Sequence, residues 1–289
     1  MDGLISKSQR AQVLVQALPY IQRYWNRVVV IKYGGHAMES EELKAQVMED
    51  IVLLQLVGVK VVLVHGGGPE INDTLDAMGV KTEFVNGLRV TDAETAQVVQ
   101  MVLAGKVGKS LVNLIETTGG KAMGICGIDG RTVEAKSKSS ALGYVGDITH
   151  VNVEPIKDLL EKGYIPVVSS LGCDAEGNVY NINADTMAAH ISGAMGAECL
   201  ISMTDIAGIM EDPADPASLI PVADINDAVE LFRRGIIKGG MIPKVESCIE
   251  ALLCGVKKVF ILDGRIPHSI LLEMLTDEGS GTMMVGEKK

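Results

Sequence analysis

Short β-branched runs alternate with stretches of helical period along this chain. Val28-Val-Val-Ile31 and Val61-Val-Leu-Val64 are apolar runs that lead into Gly34-Gly35 and Gly66-Gly67-Gly68, and each is followed by a helix-like pattern. Ser40 is placed to N-cap the first of these helices, with Glu41 and Glu42 in its opening turn, where the dipole favours negative charge; Gly58 is placed to end it. Pro69 suits the first position of the second helix, with Ile71, Leu75 and Met78 on one face and Gly79 as its stop. Thr91-x-x-Glu94 reads as a capping box opening a long helix that runs towards Gly119-Gly120. Further strand-like runs at 165–168, 199–203 and 259–262 alternate with helices near 185–195, 226–234 and 244–254. Parallel strands need crossovers, so this alternation predicts an α/β protein with a largely parallel sheet covered on both faces.

The first 26 residues stand apart. Residues 5–25 read as a helix with Val13, Leu14, Ala17, Leu18, Ile21 and Trp25 mostly on one stripe, kinked at Pro19. Two readings stay open: a helix packed on its own domain, or an arm reaching another subunit.

Composition narrows the function classes. The chain has 289 residues, 47% hydrophobic, which suffices for one large domain or two lobes sharing a sheet, and no linker-like segment divides it. With 37 acidic against 26 basic residues the formal charge is −11, so a nucleic-acid partner, which needs a basic face, is not expected. The apolar runs are short against the roughly twenty residues of a membrane span, and no secretory signal is recognisable at the N-terminus, so a cytoplasmic, non-membrane setting is expected. The five cysteines contain no C-x-x-C pair and the five histidines no H-E-x-x-H, so neither disulfides nor a protein-ligated transition metal is expected.

The chemistry is expected at the carboxyl ends of the strands, where helix N-termini and bare backbone N–H groups face outward. Lys32 precedes one glycine cluster and His65 the other, so two loops without side chains and an ammonium could receive phosphate oxygens. Each cluster alone is also readable as a tight strand-to-helix turn, a reading that the two together disfavour. Gly108-Lys109-Ser110 resembles the tail of a Walker A loop, but Leu103 stands where its first glycine must be. The His65-Gly-Gly-Gly run also occurs as an esterase oxyanion loop, yet no G-x-S-x-G elbow accompanies it. Asp185 follows Asn181-Ile-Asn183 at a helix start, where an acid is often only a dipole partner; Lys244 opposes the dipole of its helix, and a misplaced charge invites a functional reading. Arg89, before the long helix, suits carboxylate recognition or is a solvated surface residue.

Ile31-Lys-Tyr-Gly-Gly35, Val64-His-Gly-Gly-Gly-Pro69, Asn86-Gly-Leu-Arg-Val-Thr91, Asn181-Ile-Asn-Ala-Asp185, Thr204-Asp-Ile-Ala-Gly208 and Gly240-Met-Ile-Pro-Lys244 resemble, in order, the motifs of the amino acid kinase family. The resemblance runs from about residue 27 to the C-terminus and is closest to the branch that phosphorylates the side-chain carboxylate of N-acetyl-L-glutamate with MgATP, the second step of arginine biosynthesis. It implies a three-layer αβα sandwich with a lobe at 27–177 for acetylglutamate and dimerisation, a lobe at 178–289 for ATP, and 1–26 as an oligomerisation arm. It further implies Lys32 and Lys244 as the lysines that stabilise the transferring phosphoryl group, with Asp185 holding them. Gly66, Gly67, Arg89 and Asn181 would bind acetylglutamate; Gly34, Gly35, Thr204, Asp205, Gly208, Met210, Ile237 and Lys238 would bind ATP, with Mg²⁺ carried on its phosphates. Tyr33, where a smaller or aliphatic residue is common, and the residues around Asp185 depart from the pattern without touching these charges.

The assignment is chemically economical. A carboxylate nucleophile, with an intrinsic pKa near 4.3, is already ionised, so charge neutralisation and in-line positioning suffice and no general base is needed. Carbamate or glutamate kinases of the same fold and a catalytically silent metabolite sensor remain as alternatives; the joint presence of Lys32, Asp185 and Lys244 speaks against the sensor. The kinked N-terminal helix and the tail from Asp277 to Thr282 resemble those of arginine-inhibited hexamers built as trimers of dimers, which implies inhibition by arginine bound near His268, Glu278 and Gly281.

Overall fold

The computed structural model describes residues 6–34, 38, 40–85, 87–212 and 214–287; Gly35 and Asn86 lie outside the described residues. An eight-stranded sheet runs in the order Val222–Asp224, Thr282–Val285, Lys258–Asp263, Cys199–Thr204, Val28–Tyr33, Lys60–His65, Ile165–Ser169, Ala122–Cys126. Every pairing in it is parallel except that of Lys258–Asp263 with Thr282–Val285. The expected α/β class with a largely parallel sheet is therefore what the chain forms.

Burial on both faces explains why the central strands read as unbroken apolar runs. Val29 and Ile31 pack with Met48, Ile51 and Leu54 of the Glu41–Leu56 helix, whereas Val30 points the other way, among Ala188 and Ile191 of Ala184–Ala194. The Ser40 cap is formed, its hydroxyl accepting from Leu43 N at 3.3 Å. Gly79 ends the Gly68–Met78 helix in the left-handed conformation, at φ 74°, as a glycine stop should. Met78, however, is exposed while Ile71 and Leu75 are buried, because the last turn runs past the edge of the core.

Three local expectations need correction. Asp92, not Thr91, caps the long helix: its Oδ1 accepts from Thr95 N at 2.8 Å, while buried Thr91 donates its hydroxyl to the Arg89 carbonyl at 2.9 Å. The helix itself is Ala93–Gln100, a π-helical segment Met101–Val107, and Gly108–Thr117. Over Ala93–Thr117 it is long and apolar enough to cross a membrane by length and composition, so the apolar runs are not all short; its stripe of Val98, Val102, Leu103, Leu111 and Ile115 is spent on the sheet. Finally, the N-terminal helix is two helices, Lys7–Gln16 and Leu18–Tyr24, broken at Ala17 with Pro19 in the first turn of the second. Tyr24 is buried, Ile21 is half-buried and the second helix touches Ser269–Leu275, but Val13, Leu14, Val15, Leu18 and Trp25 are 50–75% exposed, so most of the stripe is left uncovered.

Two additions were not expected: a four-stranded sheet of Val133–Ser137, Gly146–Val151, Leu171–Cys173 and Val179–Asn181, antiparallel except where Val133–Ser137 runs parallel to Leu171–Cys173, and an antiparallel hairpin of Phe84–Val85 with Leu88–Arg89. Both project over the carboxyl edge of the main sheet and wall off the space above it.

Candidate active site

Strand register gathers the chemistry along one edge. Lys32 pairs with Ser202, Tyr33 with His65, and His65 with Ser169, so the ends of four adjacent strands lie level. Above them is a cavity of about 220 Å³ lined by Lys32, Gly34, Gly66, Gly67, Arg89, Asn181 and Asp185, among others. A larger cleft of about 770 Å³ continues from it past Asp185 to Lys244, Lys136, Lys138 and His190. Sequence-proposed residues from five separate segments thus meet in one continuous space.

Lys32 Nζ lies 3.0 Å from Asp185 Oδ1, with the lysine side chain 12% exposed. Asp185 is held at the start of Ala184–Ala194, where Asn183 caps the helix by accepting from the backbone N–H groups of Asp185 and Thr186 at 2.8 and 3.2 Å. Lys244 instead pairs with Asp205. Asp185 therefore holds one of the two lysines here, not both; the cation that opens the Met241–Leu253 helix is offset by a carboxylate from the loop after Cys199–Thr204.

The opposite wall carries the anion-recognition groups. Arg89 is 7% exposed and its guanidinium carbon stands 4.7 Å above the Phe84 ring, a cation–π contact strengthened by desolvation. Its Nη2 donates to Asn72 Oδ1 at 2.7 Å and, at 3.4 Å, to the Gly68 carbonyl. Nη1 is buried without a hydrogen-bond partner among the described residues. Burial lowers the guanidinium pKa, opposed by the nearby Asp76 charge. A buried, half-used cation against a small cavity fits an incoming carboxylate, because leaving such donors unpaired is costly. Asn181 donates to Thr91 Oγ at 3.3 Å, orienting its amide on the same wall.

The glycine loop is bare for reasons of space. Gly67 has φ 174°, accessible to any residue, but a Cβ there would lie 2.9 Å from Leu103 Cδ2 and 3.1 Å from Val107 Cγ2 of the π-helical segment. At Gly66 the nearest obstacle is Ala184 Cβ at 3.3 Å. The backbone can thus approach a ligand while the long helix presses from behind.

Of the expected nucleotide residues Gly34 lines the smaller cavity, whereas Thr204, Asp205, Gly208, Met210, Ile237 and Lys238 line neither. The Thr204 hydroxyl accepts from Ile206 N at 3.2 Å and lies within donating distance of the Ile206 and Leu262 carbonyls, so it shapes the loop that carries Asp205. At Gly208, φ 139° and a Cβ position 2.6 Å from Thr282 Oγ1 require glycine. Met210 bridges to Leu219, Ile237 is 2% exposed and so offers backbone only, and Lys238 is exposed. At the far end, His268 Nδ1 is 2.6 Å from Asp50 Oδ1, Glu278 is exposed, and Gly281 is glycine because a Cβ would collide with the Ile261 carbonyl. Asn72, Phe84 and Ser170 escaped the sequence reading, and His65 was noted there without a role of its own; Asn72, four residues beyond Gly68, was the most accessible signal.

Residues 27–263 match the amino acid kinase family. An acetylglutamate kinase of Clostridium beijerinckii is 54% identical over 284 residues, 97% of this chain and 100% of that protein. One of Nostoc sp. is 52% identical, over 98% of this chain and 96% of its own. Among solved structures, smu.665 of Streptococcus mutans superposes with a TM-score of 0.74 at 32% identity, covering 90% of this chain and 99% of that one. Carbamate kinase of Giardia lamblia shares the fold alone, with a TM-score of 0.64 at 14% identity over 91% and 99% of the two chains. The chain belongs to the amino acid kinase family.

Proposed function

We infer that this protein transfers the γ-phosphoryl group of MgATP to the side-chain carboxylate of N-acetyl-L-glutamate, giving N-acetyl-L-glutamyl 5-phosphate for arginine biosynthesis. The observation that carries the reading is the small cavity between the Lys32–Asp185 pair and the half-used Arg89 guanidinium, in a chain more than half identical to acetylglutamate kinases. The Arg89 wall takes the α-carboxylate, with Asn181 beside it, and this sets the side-chain carboxylate towards Lys32 and the glycine loop. A carboxylate oxygen attacks the γ-phosphorus in line, the bond to the β,γ-bridging oxygen breaks, and ADP leaves. Lys32 and Lys244 offset charge on the transferring group, and Asp185 orients Lys32. Mg²⁺ bound to the nucleotide would offset charge on its phosphates. In this reading Thr204, Asp205, Gly208, Met210, Ile237 and Lys238 form the nucleotide side, so 27–177 is the acceptor lobe and 178–289 the ATP lobe. A cytoplasmic setting goes with the pathway.

Acyl phosphate formation, trapped with hydroxylamine, tests the substrate across acetylglutamate, glutamate, aspartate and carbamate. Turnover of acetylglutamate well above the others is expected; turnover of another acceptor with acetylglutamate inert sinks the assignment, and none at all favours a silent sensor.

The exposed stripe of the N-terminal helices supports a second layer of the reading, a hexamer in which these helices join three dimers. Leu18–Tyr24 touches Ser269–Leu275, which follows His268 and precedes Glu278, so an arginine held near His268, Glu278 and Gly281 would feel the arm. Deletion of residues 1–26 is expected to leave an active dimer less sensitive to arginine. A truncated protein that is still hexameric by light scattering, with unchanged arginine titration, means the arm has no such part.

A further inference from the structure

We propose that His65 is a positioning residue for phosphoryl transfer: by donating Nδ1–H to the Gly66 carbonyl it turns the Gly67 N–H towards the acceptor cavity. The proposal rests on the reading of that cavity as the acceptor site. His65 ends the Lys60–His65 strand, is fully buried, and has no part in the charge chemistry described above. Its Nδ1 is 2.8 Å from the Gly66 carbonyl oxygen and its Nε2 2.9 Å from Ser169 Oγ, the residue in register with it on the neighbouring strand.

The proton positions follow from chemistry. Burial pushes the imidazole pKa down to about 4, so the ring is neutral near pH 7 and carries one N–H. A carbonyl oxygen can only accept, so that proton sits on Nδ1; the other tautomer would set a nitrogen lone pair against the carbonyl. Nε2 then accepts, and the Ser169 hydroxyl donates to it. Ser169 Oγ is also 3.1 Å from the Leu103 carbonyl, but its one proton is committed to the ring, and that carbonyl is served by the Gly108 N–H across the π-helical turn. Gly108 lets these groups meet, since a Cβ there would stand 3.0–3.2 Å from Leu103 O, Ser169 Oγ and His65 Nε2. The Gly66 C=O and the Gly67 N–H share one trans peptide plane and point in opposite directions. Pinning the carbonyl back onto His65 therefore aims the N–H the other way, into the cavity that both glycines line. An N–H fixed in advance stabilises developing charge without reorganisation cost.

Volume and hydrogen bonding are separable by substitution. Asparagine reproduces a donor near Nδ1, glutamine one near Nε2, and leucine only the bulk. His65→Asn is expected to keep kcat within a few-fold of wild type, whereas His65→Leu and His65→Gln lose about tenfold or more, with KM for ATP unchanged and thermal midpoints not following the same order. If kcat instead ranks with size and stability, Leu and Gln matching or exceeding Asn, His65 is packing only and the proposal falls. Should those variants not fold, two other measurements decide. Nitrogen-15 solid-state NMR of wild type should show a histidine protonated at Nδ1 that does not titrate from pH 5.5 to 8, and an Nε2-protonated His65 overturns the proposal. Ser169→Ala, which leaves the ring but frees its Nε2, should lower kcat with KM for ATP steady, and an unchanged kcat counts against it. Wild-type acetylglutamate turnover is measured in the same series: its absence removes the acceptor reading and this proposal together, whereas an active wild type with size-ranked variants removes only the role of His65.

Discussion

The two lysine–aspartate pairs of the site look chemically alike and are mounted differently. Lys32 projects from a strand buried on both sides and meets Asp185 on a capped helix start, the side chains being 12% and 28% exposed. Lys244 sits in the first turn of a helix with no side-chain cap, and its Asp205 partner lies on a loop, at 26% and 36%. Both residues of the first pair line the small cavity at the sheet edge, and Asp185 reaches the larger cleft as well; of the second pair only Lys244 lines that cleft. The contrast suits a small acceptor received by a preformed wall and a larger nucleotide that completes its own side on binding. Preorganised charge costs nothing at the moment of reaction, so the Lys32–Asp185 pair should matter more to the chemical step.

The largest expected effect tests that ranking. Lys32→Ala and Asp185→Asn should each lower kcat by about 10²–10³, the range for losing a preorganised electrostatic contact. Lys244→Ala should also fall chiefly in kcat, and Asp205→Asn should cost less than Asp185→Asn. Steady-state kinetics in both substrates decide it, and an Asp205→Asn loss equal to that of Asp185→Asn abolishes the distinction between the walls.

Arg89 sharpens the comparison from the acceptor side. With Nη1 buried and unpartnered among the described residues, Arg89→Ala should remove a charge-assisted bond to acetylglutamate, costing about 1.5–3 kcal/mol and appearing mainly in KM for that substrate. Asn72→Ala, which releases Nη2, should shift the same constant in the same direction by less. Unaltered acetylglutamate saturation in a folded Arg89→Ala protein would show that the guanidinium serves only the hairpin and Phe84.

These differences also mark where the sequence was readable. The parallel strands were legible because burial on both faces leaves uninterrupted β-branched runs, and the glycine loops because each directly follows one. In the roof of the site, Phe84–Val85 and Leu171–Cys173 are too short to show a period, and the longer Val133–Ser137 and Gly146–Val151 carry charged and polar residues instead of an apolar run, so it went unseen. The π-helical segment was hidden for a related reason: one widened turn leaves the apolar stripe intact, and only the approach of Gly108 to Ser169 and His65 reveals it. Lys32, Asp185 and Arg89 were found as separate residues, but which aspartate meets Lys244 depends on loop placement that no spacing encodes.

A third pairing, Asp50 with His268, serves as the control because it lies away from the cavities and its expected effect is the smallest. Asp50 is 1% exposed, and burial raises its carboxyl pKa to about 6 despite the hydrogen bond and charge of His268, which pull it down. A carboxyl whose folded pKa exceeds its unfolded value binds more protons when folded, so its contribution to stability is present below about pH 4 and is lost as pH rises through about 6. Above that window the buried carboxylate is a liability. Asp50→Asn is therefore expected to raise stability at pH 7.5, by about 1 kcal/mol after the lost attraction to His268 is set against the relieved burial, and the gain should shrink towards pH 4. Thermal or urea unfolding of the two proteins from pH 4 to 8 checks the sign. A variant that is less stable at pH 7.5 would mean that His268 stabilises the ionised carboxylate more than burial opposes it. Acetylglutamate kinetics without arginine should be unchanged, since this pair touches neither lysine–aspartate wall; the arginine titration is read separately, because His268 belongs to the proposed arginine site.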